Sequence, residues 1–206
     1  MNYESVFSEK AMRKRTGEKQ KRIAEAAIRV FARDGYHAAM ISRIADEAGV
    51  ATGSVYLYFD GKESILHHLF SQLWQGLHEM FEQVVNDRNL DEAEKIEALI
   101  EGVFSTFARD PSLAQVFVAE QQHLVRDGTG DFMRFYEEFL TLGEQVFQRG
   151  IESGLFRSDL SPHVFTHVVF GAIRQLLNQW VRTPRAFPLS TLRVELQGML
   201  MRGVRP

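Results

Sequence analysis

The sequence predicts an all-α protein: a three-helix head followed by a larger helical body. Three observations predict it. Apolar residues recur three and four apart along nearly the whole chain, which is the period of a helix with one buried face. No stretch alternates apolar and polar residues over any length, so no sheet is expected. The run from Ile41 to Lys62, I-S-R-I-A-D-E-A-G-V-A-T-G-S-V-Y-L-Y-F-D-G-K, reads as two short helices meeting at Gly49.

The chain has 206 residues, 45% hydrophobic and 25% charged, the proportions of an ordinary soluble globular protein. Zero cysteines exclude disulfides, thiolate chemistry and cysteine-ligated zinc. No apolar run approaches the roughly 20 residues that span a bilayer, and the charged N-terminus does not read as a secretory signal. A cytoplasmic location is the expectation. The net charge of −3 is unevenly spread. Residues 1–62 hold 11 Lys/Arg against 8 Asp/Glu, +3; residues 63–206 hold 13 against 19, −6. A basic head on an acidic body suits a polyanion at one end only.

Residues 1–15 carry Lys10, Arg13, Lys14 and Arg15 without an apolar period and are read as a mostly flexible basic arm. From Thr16, Ile23, Ala27, Val30 and Phe31 form a helical stripe that Gly35 ends. In the second helix Ile44 is apolar beside the small Ala45 and Ala48, and Gly49 stands where a left-handed residue must stop the helix. The third helix opens near Thr52-Gly53-Ser54 and buries Val55 and Phe59, four apart, leaving Thr52, Ser54, Tyr56 and Tyr58 able to look outward. Two short helices crossing at a glycine turn make a helix-turn-helix, whose second helix has the size and polarity for a DNA major groove.

From Glu63 the pattern lengthens: Ile65, Leu66, Leu69, Phe70, Leu73, Leu77, Met80, Phe81 and Val84 make one long amphipathic helix leaving the head, 16–62, for the body, 63–206. Helices follow over about Glu92–Ala108, from Pro111 to about Val125, from Asp131 to Ser153, from Pro162 to Arg182, and from Ser190 to Met201. Asp127-Gly128-Thr129-Gly130 reads as a loop, Gly154 as a stop, and Ser161 as a cap before Pro162.

Ile44, Ala45, Ala48, Gly49, Val50, Gly53, Ser54, Val55, Tyr56, Phe59, Lys62, Glu63 and Leu66, with Phe31, Gly35 and Tyr36 upstream, resemble the pattern of the TetR family of bacterial transcriptional repressors. The resemblance covers about residues 20–66. Three departures bear on the operator: Ala51-Thr52 stand where Ser-Lys is frequent, Ala39-Met40 where Thr or Ser caps the second helix, and Leu57-Tyr58 where Tyr-His is usual. The wording G-Y-H at 35–37, S-V-Y-L-Y-F at 54–59, K-E-S-I-L at 62–66 and the Phe170–Val181 spacing are similar to acyl-CoA-responsive regulators of fatty-acid degradation within that family.

The resemblance implies a homodimer on a palindromic double-stranded DNA operator. It implies Ser42 and Arg43 near the groove, Thr52, Gly53 and Ser54 against bases or phosphate, Tyr56 and Tyr58 toward phosphate or a thymine methyl, and Lys62 toward phosphate. It implies dimerisation through the last two helices, with Phe165, Val169, Ile173, Leu177, Leu192, Leu196 and Leu200 as the apolar faces; the alternative is that these fill the domain interior. The effector would be a hydrophobic small molecule, of which long-chain acyl-CoA is the first candidate, with no other cofactor. Eleven of 16 Phe fall between Phe104 and Phe187. Phe104, Phe107, Phe117, Phe135, Phe139 and Phe147 can line an acyl tunnel or simply be core. Arg109, Arg126, Arg134, Arg149 and Arg174 can meet CoA phosphates or stand as solvated charges.

Two other readings are open. An enzyme is disfavoured by the lack of H-E-x-x-H, G-x-S-x-G or a phosphate-cradling glycine loop. His163 and His167, four apart, share a helix face, but the sequence shows no third metal ligand beside them, and no metal site is expected. A helical interaction module would account for the amphipathic helices but not for the polar, outward third helix.

Overall fold

The computed structural model describes residues 3–127 and 131–206, with side chains described for 17–120 and 134–206. These residues form helices and connecting turns, with no strand among them: α1 Tyr3–Asp34, α2 Ile41–Ala48, α3 Thr52–Val55, α4 Lys62–Asn86, α5 Glu92–Arg109, α6 Pro111–Asp127, α7 Asp131–Glu152, α8 Pro162–Arg182 and α9 Leu189–Val204. The chain divides into two compact units, residues 1–69 and 70–206. The division falls inside α4 rather than at Lys62, because nothing interrupts that helix and Ile65, Leu66 and Leu69 on its first turns are buried. The other departure is α1, which begins at Tyr3 instead of near Thr16. Residues 3–16 contain good helix formers and neither proline nor glycine, so no residue there breaks the helix. The loop read over 127–130 lies mostly outside the described residues.

In the first unit α1 supplies Ile23, Ala26, Ala27, Val30 and Phe31, all buried, against Ile44, Ala45 and Ala48 of α2 and Val55 and Phe59 from the third helix region. The turn between α2 and α3 depends on Gly49. Its φ is 65° and its backbone N–H points to the carbonyls of Ala45 and Asp46. Arg22 of α1 reaches over and donates Nη2 to Ala48 O at 2.5 Å. A Cβ on Gly49 would stand 3.0 Å from that guanidinium nitrogen, so glycine is required there both for the left-handed backbone and for the close approach of Arg22.

The second unit is built on aromatic rings. Trp74 of α4, 1% exposed, meets Phe139 of α7 at 5.4 Å edge-on and Phe117 of α6 at 6.1 Å. Phe81 stacks on Phe139 at 4.2 Å, and Phe147 lies between Phe156 at 4.9 Å and Phe165 at 4.0 Å. Such offset and edge-to-face pairs add to the area they bury. The Phe156 ring reaches α7 only because residue 150 is glycine; a Cβ there would fall 2.0 Å from a ring carbon. The start of α5 is fixed by a capping box. Asp91 accepts from the backbone N–H of Ala93 and Glu94, and Glu94 accepts from the Asp91 N–H. Ser161 caps α8, with Pro162 in its first turn.

Candidate DNA-binding face and effector cavity

The third helix carries its apolar and polar residues on opposite sides. Val55 is fully buried and Phe59 nearly so. Thr52, Gly53 and Tyr56 are exposed, while Ser54 and Tyr58 are half-buried. The α-helix proper is only Thr52–Val55; beyond it the backbone continues in turns, with Tyr58 N–H and Phe59 N–H both donating to Val55 O at 3.0 Å. The face therefore presents two hydroxyls and two phenols at the start of a short helix, where Ser54 N–H donates to Ala51 O at 2.8 Å. A Cβ on Gly53 would meet no atom within 4 Å, and its φ is not positive. Nothing in the protein itself requires glycine at this position.

Leu57, 79% exposed, and Met40, 56% exposed, stand among the outward groups. Neither was expected from the sequence. A signal existed for Leu57, since it lies two residues past buried Val55 and two before buried Phe59. Met40 is the N-cap of α2 and makes no side-chain cap bond, as its replacement of Ser or Thr suggests.

The cations near this face differ in their commitments. Ser42 and Arg43 are exposed on α2, but Arg43 Nη1 donates to Asp34 at 3.0 Å. Asp34 also takes Arg33, and Glu47 takes Arg29 and Arg33. The neighbouring guanidinium hydrogen bonds hold both carboxyls below the usual carboxylate range, Arg33 first for Asp34 and Arg29 first for Glu47. Lys62 departs furthest from expectation. Its ammonium donates to the carbonyls of Tyr36, His37 and Ala39 at 2.9, 2.7 and 3.4 Å and lies 4.9 Å from the Tyr36 ring centre. All three ammonium protons are used in closing the turn after α1, so a phosphate would have to compete for them.

In the second unit two small apolar cavities adjoin, about 50 and 20 Å³. Val103, Phe139, Phe170 and Ile173 line both, so they are one channel divided by side chains. Of the residues expected to line a tunnel, Phe107, Phe117 and Phe139 do so, and Arg174 stands at the second cavity. Phe104 and Phe147 are buried elsewhere in the core, and neither they nor Phe135 line the channel. Phe135 instead meets His78 at 6.1 Å, with Arg134 lying 4.8 Å from its ring centre. Arg109 and Arg134 are exposed; the side chain of Arg126 is outside the described residues. Arg149 is committed: its Nε lies 3.3 Å from Glu92, which also holds Lys95 at 2.9 Å.

The channel's other walls were expected elsewhere. Phe165, Val169 and Ile173 line it, and Leu177 lines its second part. Leu192, Leu196 and Leu200 of α9 are buried. Of the seven residues expected on a dimer face, Ile173, Leu177, Leu192, Leu196 and Leu200 are buried within the unit, while Phe165 and Val169 are half-buried. The large apolar residues left exposed on these two helices are Val164, Val168, Val194 and Met199, each 56–60% exposed. One polar atom in the channel wall stands out. Thr166 is 7% exposed, and its Oγ1 has no protein hydrogen-bond partner. Thr106, Thr141 and Thr183 all bond back to the carbonyl four residues earlier.

A short buried-and-exposed helix beyond a glycine turn, on a separate compact head, defines a helix-turn-helix transcription regulator. Residues 23–69 match the family described as "Bacterial regulatory proteins, tetR family", and residues 70–203 match "YsiA-like protein, C-terminal region"; the chain belongs to the TetR family. It is 30% identical over 191 residues to the fatty acid metabolism regulator protein of Bacillus subtilis, covering 90% of this chain and 98% of that one. The fatty acid degradation regulator FadR of Bacillus halodurans superposes with a TM-score of 0.79 at 29% identity, covering 90% of this chain and 95% of that one. FadR of Bacillus subtilis, solved in complex with stearoyl-CoA, superposes with a TM-score of 0.76 at 28% identity, covering 90% and 99%.

Proposed function

We propose that this protein is a cytoplasmic transcriptional repressor, not an enzyme, that binds a palindromic operator as a homodimer and is released by long-chain acyl-CoA. The observation that carries the DNA half is the exposed polar face of the third helix, opposite buried Val55 and Phe59, within the residues that match the family model. Gly53 on that face has open space above it and an ordinary backbone, as Gly17, Gly61, Gly76, Gly171 and Gly203 also have, and leaves room there for a phosphate backbone to come close. Thr52, Ser54, Tyr56 and Tyr58 would surround that approach, with Leu57 against a thymine methyl. Ser42 and Arg43 would reach phosphate from α2, Arg43 exchanging Asp34 for it. Lys62 keeps a positive charge near the phosphates while its protons close the turn.

The effector half rests on the apolar channel and on the similarity to a regulator solved with stearoyl-CoA. The apolar space of about 50 and 20 Å³ is small beside an acyl chain. An acyl chain would therefore enter by parting the rings that divide the channel, at a gain of roughly 0.8 kcal/mol per buried CH₂. Arg174, which lines the channel and is itself exposed, is the guanidinium best suited to the phosphates; Arg109 and Arg134 would be auxiliary. Trp74, Leu77 and Phe81 of α4 line the channel, so chain entry would push on the helix whose first turns carry Ile65 and Leu66 of the head. Dimerisation would use the exposed Val164, Val168, Val194 and Met199 of α8 and α9.

The test is a mobility shift on the gene's own promoter, with salt varied and acyl-CoA added. Expected are one shifted species, affinity falling steeply with salt, and loss of the shift with stearoyl-CoA but not with free CoA. Equal operator affinity with and without saturating acyl-CoA would sink the effector assignment, and no salt-dependent shift would sink the DNA assignment.

A further inference from the structure

We propose that Glu144 of α7 and His163 and His167 of α8 form a surface site for a borderline divalent transition-metal ion, with zinc as its probe. The sequence places the two histidines on one helix face, and the structure brings the third donor from a different helix. His163 Nδ1 lies 2.8 Å from Glu144 Oε1. The imidazole rings of His163 and His167 are 4.1 Å apart at their centres. One ligand atom from each of the three residues lies within 4.8 Å of the others, and no other such trio is found among the described residues.

The orientation of the rings supports ligation. His167 Nδ1 lies 2.9 Å from the carbonyl oxygen of His163. A carbonyl can only accept, so Nδ1 is the donor, and in the neutral imidazole the lone pair is then on Nε2. A backbone acceptor fixing the tautomer from behind is the usual support of a metal-binding histidine. The contact between His163 Nδ1 and Glu144 Oε1 holds a single proton between two basic atoms, and an ion can take that place. Donors around zinc stand about 3.4 Å apart for bonds of about 2.0–2.2 Å. His163 and His167 are exposed and Glu144 half-buried, so side-chain rotation can supply the closure.

The donor set also selects the metal. Two imidazoles and one carboxylate suit zinc and its neighbours, whereas magnesium and calcium need more oxygens. The site opens on a groove lined by Thr141, Gln145 and Ser161, which leaves a fourth position for water. The exposed Val164 and Val168 follow each histidine by one residue, about 100° round α8, so a partner helix on the valines would leave the histidines at its margin. An ion here ties α7 to α8.

The experiment is titration of the full-length protein with zinc against a chromophoric chelator, without DNA or effector. Expected is saturable binding of one ion per chain, unaffected by excess magnesium, and accompanied by a rise in Tm. His163→Ala and His167→Ala should each weaken it at least about tenfold, and Glu144→Gln should weaken it less. His37→Ala, exposed on the other unit, should leave it unchanged. Because the three residues lie on the surface, the far-UV circular dichroism of the variants should match the parent's. No one-to-one binding at free zinc up to roughly 100 µM, or unchanged affinity in both histidine variants, would overturn the proposal.

Discussion

Gly53 and Thr166 show how single residues separate what folds the protein from what it does. Helix propensity favours alanine over glycine by up to about 1 kcal/mol, and a Cβ at 53 has open space. Gly53→Ala should therefore leave Tm equal or slightly higher while weakening operator binding at least tenfold in a mobility shift; a variant that binds like the parent would return Gly53 to an ordinary surface position. Thr166 poses the converse case. A buried hydroxyl without a partner costs about 1–3 kcal/mol, and valine keeps the shape without the oxygen. Thr166→Val should raise the Tm of the second unit by a few degrees and leave DNA affinity unchanged. The sequence led to Gly53 through its motif. It could not lead to Thr166, because whether a helical threonine bonds back to its own carbonyl depends on its rotamer and its neighbours.

At the level of elements, the α2–Gly49–α3 corner was legible because its requirement is local: a left-handed residue, which glycine meets at no steric cost. Gly49→Ala would impose the left-handed penalty of about 1–2 kcal/mol and crowd Arg22 off the Ala48 carbonyl. Chemical denaturation should show the first unit destabilised by about that amount or more, with operator binding reduced in proportion. The capping box at Asp91, D-E-A-E in the chain, is equally local, although it was not singled out in the sequence. The roles of α8 and α9 were not legible from period alone. Both helices have an inner face of Phe165, Ile173, Leu177, Leu192 and Leu196 and a second set of apolar residues outside. Periodicity gives the existence of an apolar face, not which of two faces meets the core. The extension of α1 to Tyr3 was not legible from an apolar period, which residues 1–15 lack; Lys, Arg and Glu are nonetheless good helix formers.

At the scale of the whole molecule, the two compact units share one continuous helix, and the proposed dimer can be tested at the apolar residues that remain exposed on α8 and α9. Val168→Asp places a charge in the middle of the exposed valine and methionine set. It should convert a dimer to a monomer by sedimentation or light scattering, with folding intact, and should abolish binding to a palindrome more than to a half-site. A chain that stays dimeric would move the interface elsewhere. The narrow channel has a kinetic consequence. Because the rings of Phe139 and Phe170 divide the space, the effector would meet a shut door rather than an open vestibule, and the door's own opening would set the pace. In stopped-flow mixing, the rate of DNA release should level off as acyl-CoA concentration rises, and the plateau should lift when Phe170→Leu thins the partition.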